Sequence, residues 1–349
     1  MALAAVVVGA ATALATPAVP ARAAAPVGAA SCGMVVTSDH TLRSNLRCSG
    51  TAITVRLDDP GQVVTLDLGR HAVVGDGTGA GVYVDARAGS GAVVVRNGRI
   101  RGFDAAVDGI GVLDVTLRDL TLRDNAAWLG STHAEVLALT VERSRIVDSG
   151  VSGAWTESTT TVRRSHFVRA GIASPAQTYT YVYDSVFVGG GVTTGLAANV
   201  VAERNRFRHC DVGLDVRDSW PESPTVVRDN VFTWCRVGME LQTLAAGSGA
   251  NGVTVARNHF VHNTEAGLVF AVHDAFGEVH VVGNRAVGNG GTGIQGTGAG
   301  DVVTVGANTA LRNGGHGIDV TDVVDGGGNV ARANATPPQC VGVACAAHR

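Results

Sequence analysis

The sequence predicts an all-β fold, a single-stranded parallel β-helix solenoid of about 11–12 coils, from three observations. One position of the repeat is occupied by phenylalanine in the central coils and by Ile, Leu or Ala in the others, and these residues form a column. From Ile146 onward, a small or amide residue stands two positions before each member of that column. The repeat is 20–28 residues long and consists of short valine strands and Asn/Gly turns, which is typical of a solenoid. It contains no 3.6-residue apolar pattern, so its coils are built from strands rather than helices.

Two columns run along the repeats. The first is occupied by Ile100, Leu122, Ile146, Phe167, Phe187, Phe207, Phe232, Phe260, Ala286, Ala310 and Ala331. The second, two positions earlier, is occupied by Ser144, Ser165, Ser185, Asn205, Asn230, Asn258, Asn284, Asn308 and Asn329. A side-chain amide carries both donors and an acceptor, so asparagines stacked one coil apart can bond one another and the turn backbone. Both columns are therefore predicted to be internal and structural.

One coil can be followed from Val200 to Val227. Its first strand ends at Glu203, a turn at Arg204 and Asn205 follows, and a second strand begins after Gly213. That glycine recurs in the next four coils as Gly238, Gly267, Gly293 and Gly317. A corner that needs a positive φ would explain glycine at this position.

Six cysteines fall into three pairs, Cys32/Cys48, Cys210/Cys235 and Cys340/Cys345. Cys210 and Cys235 each lie three residues after a member of the phenylalanine column, so they occupy the same slot in adjacent coils. Coils about 4.8 Å apart satisfy the Cα separation of a disulfide. The alternative is two stacked free thiols. We expect disulfides at all three pairs, and the outer two would close the first and last segments.

The chain is predicted to be one elongated domain of an exported, monomeric protein. Residues 1–23 are interpreted as a secretion signal, 24–31 as a linker and 32–333 as the β-helix with its N-terminal cap. Residues 334–349 form a disulfide-closed tail. The apolar leader is broken by Pro17 and Pro20 and is too short for a convincing membrane span.

The charge composition excludes some functions. The formal net charge is −3, so no nucleic-acid surface is expected. All 27 basic residues are arginines, which excludes Schiff-base chemistry on a lysine.

Several segments resemble a known family. The units at 227–232 (Val-Arg-Asp-Asn-Val-Phe) and 255–260 (Val-Ala-Arg-Asn-His-Phe), with residues 64–73, are similar to the right-handed parallel β-helix, pectate-lyase-like superfamily. The resemblance covers about residues 50–333. It is in particular to the many secreted bacterial members of this superfamily whose activity is unassigned. It implies a right-handed helix. It implies little about activity, because the fold hosts lyases, hydrolases, epimerases and non-catalytic adhesins.

Charged residues cluster where the second strands of two coils should stack. Asp215 and Glu240 are expected on the outer face, about 5 Å apart, with Arg217, Asp218 and Gln242 beside them. Such carboxylates share a proton or bind a cation, so Asp215, Asp218 and Glu240 are candidate calcium ligands. With Arg217 neutralising a sugar carboxylate, Asp215, Arg217 and Glu240 are candidate catalytic residues for uronate elimination. The same spacing suits retaining glycoside hydrolysis, and a solvated charged strip is the plain alternative.

Aromatic residues lie near this cluster and in the middle third of the chain. Trp128, Trp155 and Trp220, with Gln242, are candidate substrate-binding residues, because aromatic faces stack on sugar rings. Alignment of the coils places Trp128 in the same outward row as Asp108. The other aromatics of these regions are Tyr179, Tyr181, Tyr183 and Trp234. The alternative is that they pack under loops.

These features predict an exported β-helix that binds an acidic, uronate-containing polysaccharide on an outer sheet face, with lyase-type cleavage of that polymer as an open question. Whether it is an enzyme is left open; an enzyme of this kind would be a polysaccharide lyase or a glycoside hydrolase. The alternative is a non-catalytic structural or adhesive rod at the cell surface or in the matrix.

Overall fold

The computed structural model describes residues 31–129, 133–150, 159–176, 179–196, 199–217, 224–243, 252–273 and 277–346. The predicted signal segment, and all of the predicted linker except Ser31, lie outside these residues. The described chain is a parallel β-solenoid of about 11 turns with a single 3₁₀ turn, Gly300–Val302, which confirms the predicted fold.

The strands are β1 Met34–Val36, β2 His40–Thr41, β3 Leu46–Arg47, β4 Ile53–Arg56, β5 Val63–Asp67, β6 Ala72–Val74, β7 Ala80–Arg101, β8 Ala105–Arg123, β9 Ala127–Leu129, β10 His133–Glu142, β11 Arg145–Val147, β12 Thr159–Arg163, β13 His166–Val168, β14 Ile172–Ala176, β15 Tyr179–Tyr183, β16 Val186–Val188, β17 Val192–Leu196, β18 Asn199–Glu203, β19 Arg206–Arg208, β20 Val212–Arg217, β21 Thr225–Arg228, β22 Val231–Thr233, β23 Val237–Thr243, β24 Val253–Ala256, β25 His259–Val261, β26 Leu268–Val272, β27 Val279–Val282, β28 Arg285–Val287, β29 Ile294–Thr297, β30 Val303–Gly306, β31 Thr309–Leu311, β32 Ile318–Thr321, β33 Val324–Asp325, β34 Val330–Arg332 and β35 Cys340–Val341.

Each regular coil contributes one strand to each of three faces. Face I contains β12, β15, β18, β21, β24, β27, β30 and β33; face II contains β11, β13, β16, β19, β22, β25, β28, β31 and β34; face III contains β14, β17, β20, β23, β26, β29, β32 and β35. All pairings between coils are parallel, and every pair joins equivalent positions of successive coils. Toward the N-terminus the long strands β7 and β8 bend through all three faces.

The phenylalanine column lies inside the bore, as predicted. Its five rings are fully buried, and successive ring centroids are 4.7–5.0 Å apart with nearly parallel planes. This spacing equals the distance between stacked coils, so register and ring stacking reinforce each other.

The asparagine column is also internal. Asn205 donates from its backbone N–H and from Nδ2 to the Oδ1 of Asn230, at 2.9 and 3.0 Å. Asn230 does the same toward Asn258, at 3.0 Å for both bonds. Upstream, Ser165 takes over the role, because its Oγ accepts the backbone N–H of Ser144. A second ladder lies at the corner between faces II and III and consists of Asn263, Asn289, Asn313 and Asn334. It ends on Gln339, whose Oε1 accepts from Asn334.

The corner glycines have a different role from the one expected. Gly213, Gly238, Gly267, Gly293 and Gly317 do not have positive φ angles. Space requires them: a Cβ on Gly238 would lie 2.5 Å from the carbonyl oxygen of Gly267 and 2.6 Å from a ring carbon of Phe260. The positive-φ positions are instead the residues just before the ladders, and most of them are not glycine. Arg204, for example, has a φ of 57° and His209 a φ of 52°.

All three predicted disulfides are present: Cys32–Cys48, Cys210–Cys235 and Cys340–Cys345. The Cα atoms of Cys210 and Cys235 are 4.3 Å apart, which confirms that they occupy one slot in adjacent coils. In the C-terminal tail, Cys340 pairs with Ile318, so the tail adds a strand to face III. No helix in the described part of the chain is long and apolar enough to cross a membrane.

Candidate functional site

The outer surface of face III carries the charged cluster predicted from the sequence. Asp215 of β20 pairs with Glu240 of β23, and Arg217 pairs with Gln242. Their chain neighbours Leu214, Val216, Met239 and Leu241 are fully buried, so the charged residues lie on the outer side of the sheet. The outward row from Ala173 to Asp319 also has the predicted register.

Asp215 and Arg217 form a close ion pair. The guanidinium donates from Nε at 3.0 Å to Oδ2 of Asp215, and Nη2 lies 2.8 Å from the same oxygen. The side chain of Asp215 is only 8% exposed, whereas that of Arg217 is 53% exposed. The pKa of Arg217 is raised by its hydrogen bond to Asp215, then by the charge of Asp215, and further by the charge of Glu240. Arg217 is therefore a permanent cation whose orientation is set by a buried carboxylate.

Arg236 is a member of this cluster that sequence reasoning missed. It lies 2.6 Å from Asp211, 2.7 Å from Glu265 and 3.4 Å from Glu240, so it links carboxylates of three coils. The pKa of Arg236 is raised, chiefly by its hydrogen bond to Asp211. The sequence contained a signal for this ion pair: Asp211 and Arg236, which have opposite charges, directly follow the stacked Cys210 and Cys235.

The described carboxylates do not form a calcium site by themselves. Asp215 is bound by Arg217, and Glu240 contacts Arg236. Within the described part of the chain, no three His, Cys, Asp or Glu side chains come together as a metal-binding group. The third proposed ligand, Asp218, lies outside the described residues.

Trp128 is a core residue, which corrects the prediction that it binds substrate. Its neighbours Ala127 and Leu129 pair with Ala105 and Val107, so Trp128 lies two positions before the predicted outward row, at the corner where later coils have glycine. The side chain is fully buried, its ring meets Phe167 edge-on at 6.2 Å, and Nε1 donates to the carbonyl oxygen of Gly171 at 3.0 Å. The prediction aligned Trp128 with Asp108 and was wrong by two positions, because the loops before Asn205 vary in length.

The other predicted aromatic contacts, Trp155 and Trp220, lie outside the described residues. Trp234 is 54% exposed, at the corner that leads to Arg236 and face III. Its ring stacks on that of His262, with centroids 5.0 Å apart. Among the described residues, Trp234 and His262 therefore form an exposed aromatic surface at the corner that leads to face III.

The chain belongs to the right-handed β-helix family. The family model described as "Right handed beta helix region" matches residues 89–276 and 188–334. This match confirms the resemblance inferred from the repeated units. No curated protein matches the chain.

Several solved structures are similar to this chain. The catalytic domain of a GH87 α-1,3-glucanase in complex with nigerose is 13% identical, with a TM-score of 0.45 over 85% of this chain and 64% of that one. This chain therefore spans less than two thirds of the glucanase domain. The periplasmic alginate epimerase AlgG is 12% identical, with a TM-score of 0.40 over 88% and 77% of the two chains. The A-module of the Azotobacter vinelandii mannuronan C-5 epimerase AlgE6 is 14% identical, with a TM-score of 0.39 over 91% and 92%. Likeness at these identities concerns the fold alone.

Proposed function

We propose that this protein is exported and binds an acidic polysaccharide on the outer surface of face III, around Asp215, Arg217 and Glu240. One observation carries the proposal: Arg217 is half exposed and fully cationic, and Asp215 holds it beside Glu240 of the next coil. An oriented guanidinium presents several parallel donors to a carboxylate. The exposed ring of Trp234 would contact the apolar face of a neighbouring sugar.

A lyase reaction would use the same residues. Arg217 would bind the carboxylate of a uronate and stabilise the negative charge that develops there when the adjacent C5–H bond breaks. Glu240 would accept the C5 proton, because its contact with Arg236 is long, at 3.4 Å, whereas Asp215 is engaged by Arg217. The C–H electron pair forms the C4–C5 double bond, and the C4–O bond breaks. The leaving oxygen takes a proton from water.

A panel of polysaccharides tests binding and cleavage separately. Polygalacturonate, alginate and a neutral glucan are compared with and without calcium, measuring affinity by calorimetry and cleavage by the ultraviolet absorbance of unsaturated uronates. Arg217→Ala should weaken binding of the acidic polymers by about tenfold or more, because it removes charge-assisted hydrogen bonds. Glu240→Gln should retain binding and lose the absorbance change.

Matched controls come from the same face. Asp319 lies in the outward row of Glu240, three coils away, and makes no ion pair with any described residue, so Asp319→Asn should bind and cleave like the parent. Unchanged affinity in a folded Arg217→Ala protein would contradict the binding site. Binding without any unsaturated product would contradict the lyase step alone.

A non-catalytic rod is the second candidate. The observation that favours it is continuity: from Ser144 to Asn329 each ladder residue bonds the next, with no break beside the cluster. A rod that functions through its length should retain its biological role in the Arg217→Ala and Glu240→Gln variants, whereas a glycan-processing protein should lose it.

A further inference from the structure

A second charged surface lies on the opposite side of the coil from the face III cluster, at the corner between faces I and II. Residues at the positive-φ corner positions form an outward column there. In order they are Asp119, Arg143, Arg164, Asp184, Arg204, Asp229 and Arg257. Opposite charges on neighbouring coils pair along this column.

These ion pairs leave one residue of the central part of the column, Arg164, without an ion-pair partner among the described residues. Arg143 binds Asp119 at 2.8 and 2.9 Å. Arg204 binds Asp184 at 2.7 and 3.1 Å, and Arg257 binds Asp229 with both bonds at 2.8 Å. Arg164 lies between the first and second pairs and makes no ion pair within 4 Å with any described carboxylate. Its charge reaches Asp184 only at longer range, where it helps to lower the pKa of that carboxyl after Arg204.

The preceding residue, Arg163, is also without a carboxylate partner among the described residues. It ends β12 on face I, in register with Glu142 on one side and Tyr183 on the other. Glu142 is bound by Arg143. The guanidinium of Arg163 instead lies over the ring of Tyr183, 5.4 Å from its centroid. Two consecutive exposed arginines therefore carry charge that the described protein does not neutralise.

These groups surround a pocket. Its volume is about 320 Å³, at the lower end of the range for small-ligand sites, and it is lined by Glu142, Arg163, Arg164, Tyr183, Asp184 and Arg204. The ring of Tyr183 forms one side and lies nearly parallel to that of Tyr181, with centroids 6.5 Å apart. Burial raises the pKa of Tyr183, so its hydroxyl remains a neutral donor. The pocket thus combines a cationic side, an aromatic side and a hydroxyl.

We propose that this pocket binds an anionic sugar residue, with its carboxylate or sulfate on Arg163 and Arg164 and its ring against Tyr183. An aromatic face is suited to the apolar C–H face of a pyranose, and two guanidinium groups are suited to an anion. The site is separate from the one on face III and does not depend on it. Either site can be lost without loss of the other.

Calorimetry with short ligands tests the site. A galacturonate tetrasaccharide and a sulfated oligosaccharide distinguish the two anions, a neutral glucose tetrasaccharide tests the need for charge, and inorganic phosphate tests for simple anion binding. The double variant Arg163→Gln/Arg164→Gln should weaken binding of an anionic oligosaccharide by at least about tenfold, because two charge-assisted contacts are lost. Tyr183→Ala should weaken oligosaccharide binding and leave phosphate binding unchanged.

The control is Arg285→Gln, since Arg285 is exposed on face II and has no ion pair with the described residues. It should bind like the parent. Circular dichroism should show that the double variant and Arg285→Gln are folded, as expected for exposed arginines without ion pairs to the described residues, and the same measurement checks Tyr183→Ala and Arg217→Ala. A double variant that binds the anionic oligosaccharides like the parent would overturn the proposal. So would a parent protein that binds neutral and anionic oligosaccharides equally, or one that binds phosphate as tightly as it binds the anionic oligosaccharides. If Arg217→Ala lost all oligosaccharide binding and the double variant bound like the parent, the glycan site would lie on face III and the proposal would be overturned.

Discussion

The amide ladder predicts that Asn230→Ala is strongly destabilising and that Asn230→Ser is much less so. In the parent, Asn230 Oδ1 accepts both the backbone N–H and the Nδ2 of Asn205. Its own Nδ2 donates to Asn258 and to the carbonyl oxygens of Ala202 and Arg228. Alanine removes all five bonds. Asn205 Nδ2 retains the carbonyl of Val182, but the buried Asn205 N–H has no other acceptor among the described residues.

The size of the effect follows from that count. One buried N–H without an acceptor costs about 1–3 kcal/mol, and each lost net hydrogen bond costs about 0.5–1.5 kcal/mol. We expect Asn230→Ala to lower the free energy of unfolding by about 2–4 kcal/mol. Serine restores an acceptor for the N–H, as Ser185 does for Ser165 at 3.1 Å, and should recover about 1–2 kcal/mol of the loss.

Urea unfolding at constant slope measures the difference in free energy. Amide hydrogen exchange gives a local readout: the Asn205 N–H should exchange faster in the alanine variant than in the serine variant. Thr254→Ala is a matched control, because Thr254 lies outward on face I in the same region and should change stability by less than about 0.5 kcal/mol. Equal stability of the alanine and serine variants would refute the role of the ladder acceptor.

Four further outcomes follow from the fold. Replacing Cys210 and Cys235 by serine should cost about 2–4 kcal/mol in urea unfolding; parent protein that alkylates at these thiols without prior reduction would contradict the bond. Phe207→Ala should cost about 3–5 kcal/mol by the same assay, because it opens a cavity between stacked rings; a shift below 1 kcal/mol would mean that the neighbouring coils collapse into the space. Gly238→Ala should lower the melting temperature although its φ is ordinary, because the new methyl group overlaps a carbonyl and a ring; an unchanged melting temperature would rule out tight packing there. Arg204 holds the pKa of Asp184 below its ordinary value of 3.8 by hydrogen bonding, so the ionised form stabilises the fold above that pH, and this stabilisation is lost as the pH falls through the lower folded-state pKa. The melting temperature of Asp184→Asn should therefore be below that of the parent at neutral pH and approach it in acid, and a gap that is independent of pH would count against the ion pair.

The sequence predicted most of the interior. Stacked coils repeat equivalent residues at one slot. The sequence therefore predicted the phenylalanine and asparagine columns, the three disulfides and the pairing of Asp215 with Glu240. Prediction failed where the repeat is irregular. Trp128 was placed outward because the loops before Asn205 vary in length, and a shift of two residues moves a side chain from the sheet to the corner.

The role of the corner glycines could not be read from the chain. Glycine at Gly238 suggested a positive φ, but the constraint is the distance to atoms of the next coil, which only the packed structure contains. The positive φ falls on Arg204 and its equivalents, whose side chains give no local signal for that conformation. The hydrogen bonds of the adjacent ladder hold these residues in it.

The sequence by itself determined the period, and with it the fold, the buried columns and, in the regular coils from Asn205 onward, the side of the sheet on which each strand residue lies. Only the tertiary structure decided which charges neutralise one another. Asp215 is bound by Arg217 and Glu240 contacts Arg236, whereas Arg163 and Arg164 have no carboxylate partner in the described structure. The physical reason is that a repeat specifies which slot a residue occupies. An ion pair depends on where flexible side chains meet, within a coil or between coils, and that is known only once the coils are folded and stacked.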